Sequence, residues 1–200
     1  MIGRLQGTVI DKQAPDLLLD VQGVGYELLV SLSTFFAIPA VGESVTLHTH
    51  FVVREDVQQL YGFTERSERT LFRHLIKVNG VGPKMALGVL SGMSANEFAA
   101  CVHNNDVDTL VRLPGVGKKT AERLVIEMRD RVDSIEASVS STNVHAAQPD
   151  LTQEAESALI ALGYKPQDAA KMISRVAGDE TLGVEQLIRS ALKNMVSKSR

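Results

Sequence analysis

Two copies of one twelve-residue segment lie thirty-five positions apart in this chain: LIKVNGVGPKMA at residues 75–86 and LVRLPGVGKKTA at residues 110–121. When the copies are aligned, apolar residues fall on apolar residues, both glycines coincide, and Lys119 falls on Lys84. Each copy predicts a helix, a tight Gly-Val-Gly turn, and a second helix that begins near the lysine. The repeat therefore predicts two helical hairpins built in the same way.

The Gly-Val-Gly turns have the features of an anion-binding site. Glycine adopts backbone angles that a side chain would forbid, and it lets a phosphate approach closely. The following helix adds unpaired N–H groups and the positive end of its dipole. We therefore predict that both turns bind nucleic-acid phosphates without reading bases. The predicted backbone-binding residues are Gly80, Gly82, Lys84, Gly115, Gly117, Lys118, Lys119 and Arg123.

The repeat has two other possible interpretations. The glycines could merely allow close helix packing, but a lysine at the same offset in both copies favours phosphate binding. The later copy also faintly resembles a P-loop, which needs glycine five residues before its Gly-Lys pair and Ser or Thr directly after it. Arg112 and Lys119 occupy those positions, and a predicted helix precedes the segment. The pattern excludes this type of nucleotide site.

Charge is distributed unevenly along the 200 residues, whose formal net charge is −3. Residues 1–63 carry three Lys and Arg against seven Asp and Glu, residues 64–133 eleven against nine, and residues 134–200 seven against eight. The repeat lies in the net-basic third, and a local basic face can bind phosphates on an acidic protein. The single cysteine, Cys101, and the lack of a signal-like or membrane-spanning apolar run predict a soluble, cytoplasmic protein.

The periodicity predicts an α+β multidomain chain with four regions. Residues 1–63 favour a small barrel of the oligonucleotide-binding (OB) type, and residues 64–133 are helical. Residues 134–151 are small and polar, as is typical of a flexible linker, and residues 152–200 predict three short helices. The predicted strands are Arg4–Ile10, Leu17–Val21, Tyr26–Val30, Ser44–Val53 and Gln58–Phe63. The predicted helices are Glu65–Lys77, Lys84–Ser91, Ala95–Asn104, Asp106–Arg112, Lys118–Arg131, Gln153–Leu162, Pro166–Val176 and Gly183–Lys193, with Ser94 and Asn105 as N-caps.

Residues 51–61, FVVREDVQQLY, predict a β-hairpin with an acidic tip at Glu55 and Asp56. Such a tip can be a solvated turn with no further role. Near DNA, carboxylates within a Debye length of about 8 Å of the phosphates would repel them. We therefore predict that the tip acts as an acidic pin, which favours substrates whose strands diverge there.

With these motifs, the chain resembles the RuvA family, the DNA-binding subunits of a bacterial branch-migration machine. The resemblance runs essentially end to end and fails residue by residue only in the predicted linker. It is carried by MIGRL at 1–5, GVGY at 23–26, HFVVRED at 50–56, LYGF at 60–63, NGVGPK at 79–84, LPGVGKKTAERL at 113–124 and ALGYK at 161–165.

The resemblance implies an OB barrel, a double helix-hairpin-helix domain and a mobile C-terminal bundle similar to the ubiquitin-associated type. It implies a homotetramer, sometimes stacked as an octamer, that holds a four-way (Holliday) junction open around the pins. The C-terminal domain would recruit RuvB, a hexameric AAA+ ATPase, and the resolvase RuvC would be a further partner in recombination, repair and the SOS response. This role is non-catalytic and implies no cofactor or metal. The implied partner-binding residues are Leu159, Leu162, Tyr164 and Leu192, with core packing an equal alternative for Leu159.

Two other classes of function compete with junction binding: a DNA repair enzyme, either a glycosylase or a nuclease, and a protein–protein hub. A DNA glycosylase would need a catalytic Asp soon after its hairpin, whereas Asp130 and Asp133 run into the predicted linker. A metal nuclease would need converging carboxylates, whereas Glu55 and Asp56 are neighbours on one turn and the histidines lack ligand spacing. A protein–protein hub without DNA affinity is the third possibility.

Overall fold

The computed structural model describes residues 1–140, 151–176 and 183–196, without the side chains of residues 130, 133–140 and 195–196. The chain forms two compact units, Met1–Asn143 and Val144–Arg200. Among the described residues, the first unit has a large hydrophobic core, which includes the helices, and a smaller one in the barrel, and the second unit has its own. In the described part of the chain, no single helix is long and apolar enough to cross a membrane; by length and composition alone, one pair bent by 95°, Pro83–Gly92 with Ala95–His103, could.

Five strands form a closed barrel in the order β1-β2-β3-β5-β4. They are β1 (Arg4–Gln13), β2 (Asp16–Val21), β3 (Val24–Val30), β4 (Ser44–Val53) and β5 (Gln58–Phe63). The β3–β5 pair is parallel, the other pairs are antiparallel, and β4 returns to pair with β1. This confirms the predicted OB-type barrel. Gly7 allows β1 and β2 to approach, because a Cβ there would lie 2.2 Å from the carbonyl oxygen of Asp20.

Within residues 1–140, six helices accompany the barrel: α1 (Leu32–Ala37), α2 (Arg66–Leu75), α3 (Pro83–Gly92), α4 (Ala95–His103), α5 (Val107–Val111) and α6 (Lys118–Ser140). The pairs α2–α3 and α5–α6 are the two predicted hairpins, and α4 connects them. The predicted N-cap Ser94 is confirmed, because its side chain accepts from the Glu97 N–H while the Glu97 carboxylate accepts from the Ser94 N–H.

The second predicted N-cap, Asn105, is wrong. Asn105 has φ +54°, and it ends α4 because its N–H and that of Asp106 donate to the carbonyls of Val102 and Cys101. Asp106 caps α5 instead, since its carboxylate accepts from the backbone N–H of Thr109 at 3.0 Å. Both Asn and Asp can end a helix in the left-handed conformation, and both can cap the start of the next helix. In this tight turn, Asn105 takes the left-handed position and Asp106 the cap.

The helix α6 is longer than predicted. It passes the predicted end, Arg131, and continues to Ser140, so residues 134–140 are helical rather than the first part of a linker. This stretch contains neither Gly nor Pro, and each residue added to an existing helix gains a hydrogen bond without a new nucleation step. Residues 141–150 of the predicted linker lie outside the described residues, and residue 151 begins a helix.

The second unit contains three helices among its described residues: α7 (Leu151–Ala161), α8 (Pro166–Ser174) and α9 (Val184–Val196). The predicted three-helix fold is therefore confirmed. Gly163, with φ +99°, ends α7, and the amide of Tyr164 donates to the carbonyl of Leu159 at 3.2 Å.

The barrel and the hairpin helices are held together by aromatic packing. Phe72 of α2 is fully buried, and its ring centroid lies 4.8 Å from that of Tyr61 and 5.1 Å from that of Phe63, both on β5. Glu68 of α2 adds polar contacts, because its carboxylate accepts from the hydroxyls of Ser33 and Thr34 of α1 at 2.8 Å each. These contacts fix the barrel relative to the hairpins.

Replacing Phe72 with Ala should therefore weaken the whole first unit. We expect the free energy of unfolding in urea to fall by about 3–5 kcal/mol, because the change leaves a cavity between barrel and helices. Phe36→Ala is the matched control: Phe36 is 78% exposed, and its loss should cost less than about 0.5 kcal/mol. Equal losses for the two variants would contradict this account of the packing.

Candidate nucleic-acid interface

The two Gly-Val-Gly turns share one backbone conformation. Gly80 has φ +86° and Gly115 has φ +82°, in the left-handed region that favours glycine. The amide of Val81 donates to the carbonyl three residues earlier at 3.0 Å, and the amide of Val116 does the same at 3.1 Å. The sequence repeat is therefore also a repeat of backbone hydrogen bonds.

The helices after the turns begin with unpaired amides. Ala86 donates to the carbonyl of Gly82 at 3.0 Å, and Ala121 to that of Gly117 at 2.9 Å. Six amides that precede these two residues donate no hydrogen bond to the described part of the protein. They belong to Gly82, Lys84, Met85, Gly117, Lys118 and Lys119. The start of each helix therefore has several N–H groups available to an anion.

A buried valine at the centre of each turn directs its glycines outward. Val81 and Val116 are only 5% and 4% exposed and belong to the core of the first unit. Gly80, Gly115 and Gly117 are exposed. The valine side chain anchors the turn and leaves these three glycines at the surface, whereas Gly82 is half-buried. The sequence reasoning did not assign this role, although the valine is repeated with the glycines.

The predicted basic residues differ in their contacts with the rest of the protein. Lys84, Lys118 and Lys119 are exposed beside their turns. Arg123, which the sequence predicts as a backbone-binding residue, donates from its Nη1 to the carbonyl of Asn79, in the first turn, at 2.8 Å. Arg123 therefore links the two hairpins across 44 residues of sequence.

The acidic tip lies between β4 and β5. The N–H of Arg54 donates to the carbonyl of Val57 at 2.8 Å, which closes the tip and leaves Glu55 and Asp56 exposed. A groove of about 340 Å³ separates this tip from the first turn, and its lining includes Asp56, Gly82 and Lys84. The structure thus brings the acidic tip and one phosphate-binding candidate to the same surface.

The histidines of β4 have structural contacts. Burial is the main cause of a lowered pKa at His48 and His50, and nearby arginine charges add to it. Arg73 Nε donates to His50 Nδ1 at 3.2 Å, an arrangement that requires this nitrogen to be unprotonated. Within the described residues, no group of three or more His, Cys, Asp or Glu could hold a metal ion.

The predicted partner-binding residues of the second unit differ in how far their side chains are buried. Leu159 is fully buried in the core of the bundle, which favours core packing, the alternative that the sequence left open, over a partner contact. Tyr164 and Leu192 are half-buried against the same core. Leu162 is 65% exposed, and Ile160, which was not among the predicted contacts, is 43% exposed. Helix periodicity alone could not separate Leu159 from Leu162, because residues three positions apart share a helix face, whereas α7 ends at Ala161, before Leu162.

Comparison with known proteins agrees with this architecture. The family model described as RuvA N terminal domain matches residues 1–62, that described as SAM-like Helix-hairpin-helix tandem matches residues 72–130, and that described as RuvA, C-terminal domain matches residues 150–196. A protein of Thioalkalivibrio sulfidiphilus named Holliday junction branch migration complex subunit RuvA is 59% identical over 96% of this chain and 98% of its own length. This chain belongs to the RuvA family.

Other RuvA family members are nearly as similar. Proteins of the same name from Marinobacter nauticus and Aeromonas salmonicida are 54% and 51% identical, each over 98% of this chain and over 99% and 100% of their own lengths. The similarity covers both compact units, so it includes the barrel, the hairpins and the C-terminal bundle.

The turn conformation predicts different effects for two glycines of the second hairpin. Gly115→Ala should lower the free energy of unfolding by about 1 kcal/mol, because φ +82° strains an alanine. Gly117→Ala should cost about 0.5 kcal/mol or less, since Gly117 lies outside the left-handed region and no atom lies within 4 Å of an added Cβ. Urea unfolding of both variants measures the difference. A larger loss at Gly117 would contradict the assigned conformation.

Proposed function

We propose that this protein binds four-way (Holliday) DNA junctions by their structure and independently of sequence, holds them open, and recruits an ATPase for branch migration in recombination and repair. The observation that carries the proposal is the pair of outward-facing turns, each with unpaired helix-start amides and an adjacent lysine. The names of the relatives support the same substrate.

The chemistry of each turn fits a phosphate of the DNA backbone. Amides at the start of α3 and α6 donate to the phosphate oxygens, and the helix dipole favours the negative charge. Lys84, Lys118 and Lys119 add mobile positive charges at the same places. No group in this set reads a base edge, so affinity should depend on salt and on DNA shape rather than on sequence.

Selectivity for a junction is assigned to the acidic tip. Glu55 and Asp56 stand at the end of the β4–β5 hairpin, near the first turn. A continuous duplex held by the turns would bring phosphates close to these carboxylates, which costs free energy. Where four arms meet, the strands diverge and leave room for the negative charge. The acidic tip therefore favours the open junction.

The remaining parts of the proposal concern assembly. A homotetramer, possibly stacked as an octamer, matches four equivalent DNA arms with four equivalent subunits. Residues 152–200 are assigned to the binding of a RuvB-type hexameric AAA+ ATPase through a patch around Leu162, and RuvC is a further candidate partner. The chain itself acts in the cytoplasm as a non-catalytic DNA-binding subunit.

A gel-shift comparison tests the junction preference. The full-length protein should bind a four-way junction more tightly than a linear duplex of equal length and arm sequence. The double variant Glu55→Gln and Asp56→Asn should bind linear duplex more tightly than the wild type does, because the repulsion is removed. The ratio of junction affinity to duplex affinity should therefore be smaller in the variant than in the wild type. An unchanged preference in this variant would refute the acidic pin, and equal wild-type affinities would refute the proposed function.

The assignment of the C-terminal unit is tested by truncation and by substitution. A protein lacking residues 152–200 should keep its junction affinity, because the first unit has its own core, and should no longer stimulate the ATPase on junction DNA. In the full chain, Leu162→Ala should weaken ATPase binding, measured by pull-down, while the exposed Gln153→Ala should not. Loss of junction binding on truncation would contradict the division of roles.

A further inference from the structure

The two turns are tied to each other by contacts that follow the repeat. Arg123 of α6 donates to the carbonyl of Asn79 at 2.8 Å, and its Nη1 lies 3.5 Å from where a Cβ on Gly80 would be. The positions equivalent to Arg123 and Asn79, thirty-five residues away, are Gly88 and Pro114. A Cβ on Gly88 would lie 3.6 Å from the carbonyl oxygen of Pro114. Each turn therefore presents the same carbonyl to the second helix of the other hairpin.

The two turns restrain the equivalent carbonyls, those of Asn79 and Pro114, by different means. In the second turn, Pro114 directly precedes the left-handed Gly115, and its ring fixes its own φ at about −65°. Because Gly88 has no side chain, α3 can lie close to the carbonyl of Pro114. In the first turn, Asn79 has no ring to restrain it. The guanidinium of Arg123 supplies the missing restraint, as a charge-assisted hydrogen bond to the carbonyl.

We infer that Arg123 is a positioning residue, which holds the first turn in its phosphate-binding conformation from the opposite hairpin and thereby fixes the separation of the two phosphate sites. This inference rests on the proposed DNA-binding function. It assigns Arg123 a different role from Lys84, Lys118 and Lys119, which add charge at the phosphate itself. Without Arg123, the amides of Gly82 and Lys84 would remain available, but the turn that aims them would move more freely.

The hydrogen-bond pattern indicates how the restraint can be replaced. The amide of Asn79 donates no hydrogen bond within the described residues, so a proline there loses none. The second turn shows that a proline is compatible with the same pattern, since Val116 donates to Leu113 as Val81 donates to Val78. Asn79→Pro therefore gives the first turn the internal restraint of the second and should make Arg123 dispensable.

The test measures junction affinity of the full-length protein as a function of salt for Arg123→Gln, Asn79→Pro and the double variant. Arg123→Gln should bind about tenfold more weakly, the effect of losing one charge-assisted hydrogen bond. Its salt slope should match the wild type, and Asn79→Pro should restore the affinity. Lys84→Gln serves as the phosphate-contact reference, because each lost contact should lower the slope by about 0.9. Arg66→Gln, at the exposed start of α2, controls for the loss of one positive charge.

Hydrogen exchange in the absence of DNA gives an independent measurement. The amide of Val81 should exchange faster in Arg123→Gln than in the wild type, and the added proline should slow it again. A lowered salt slope in Arg123→Gln without rescue by Asn79→Pro, or unchanged exchange at Val81, would overturn the positioning role. If Lys84→Gln also left the affinity and the slope unchanged, the proposed phosphate site itself would fail, so the two failures are distinguishable.

Discussion

The burial of one valine side chain in each Gly-Val-Gly turn is the constraint on which the interface depends. Val81 and Val116 are held in the core of the first unit, so the chain must double back on either side of them. A left-handed glycine makes that reversal possible, and the next helix then begins with its amides facing solvent. The hydrophobic effect thus positions polar groups that make no bond within the protein. In the proposed function, core packing therefore positions the amides that receive the phosphate, and the lysines add charge beside them.

The same core extends into the barrel and so relates the acidic tip to the hairpins. Phe72 of α2 packs against the rings of Tyr61 and Phe63 on β5, the strand that follows the acidic tip. Glu68 adds hydrogen bonds to the hydroxyls of α1. A repulsive carboxylate can select a DNA shape only if its distance from the attractive sites is fixed. The packing between barrel and hairpins provides that fixed distance.

Much of this architecture could be predicted from the sequence, because the signals were local. Strands β4 and β5 have their predicted bounds, and the repeat predicted both turns and their exposed lysines. The failures involve information that is not local. The Arg123 contact joins residues 44 positions apart, and the burial of Leu159 depends on how three helices meet. The N-cap of α5 is Asp106 rather than Asn105, because the left-handed Asn105 makes α5 begin one residue later than predicted.

The most direct test of the central claim observes the turn amides themselves. In full-length protein labelled with ¹⁵N-glycine, addition of a four-way junction should shift the amide resonances of both Gly82 and Gly117, as expected for N–H groups that acquire phosphate acceptors. Gly163, which ends α7 in the second unit, should remain unchanged. If junction DNA bound tightly while the resonances of Gly82 and Gly117 stayed in place, the turns would not be the phosphate-binding sites.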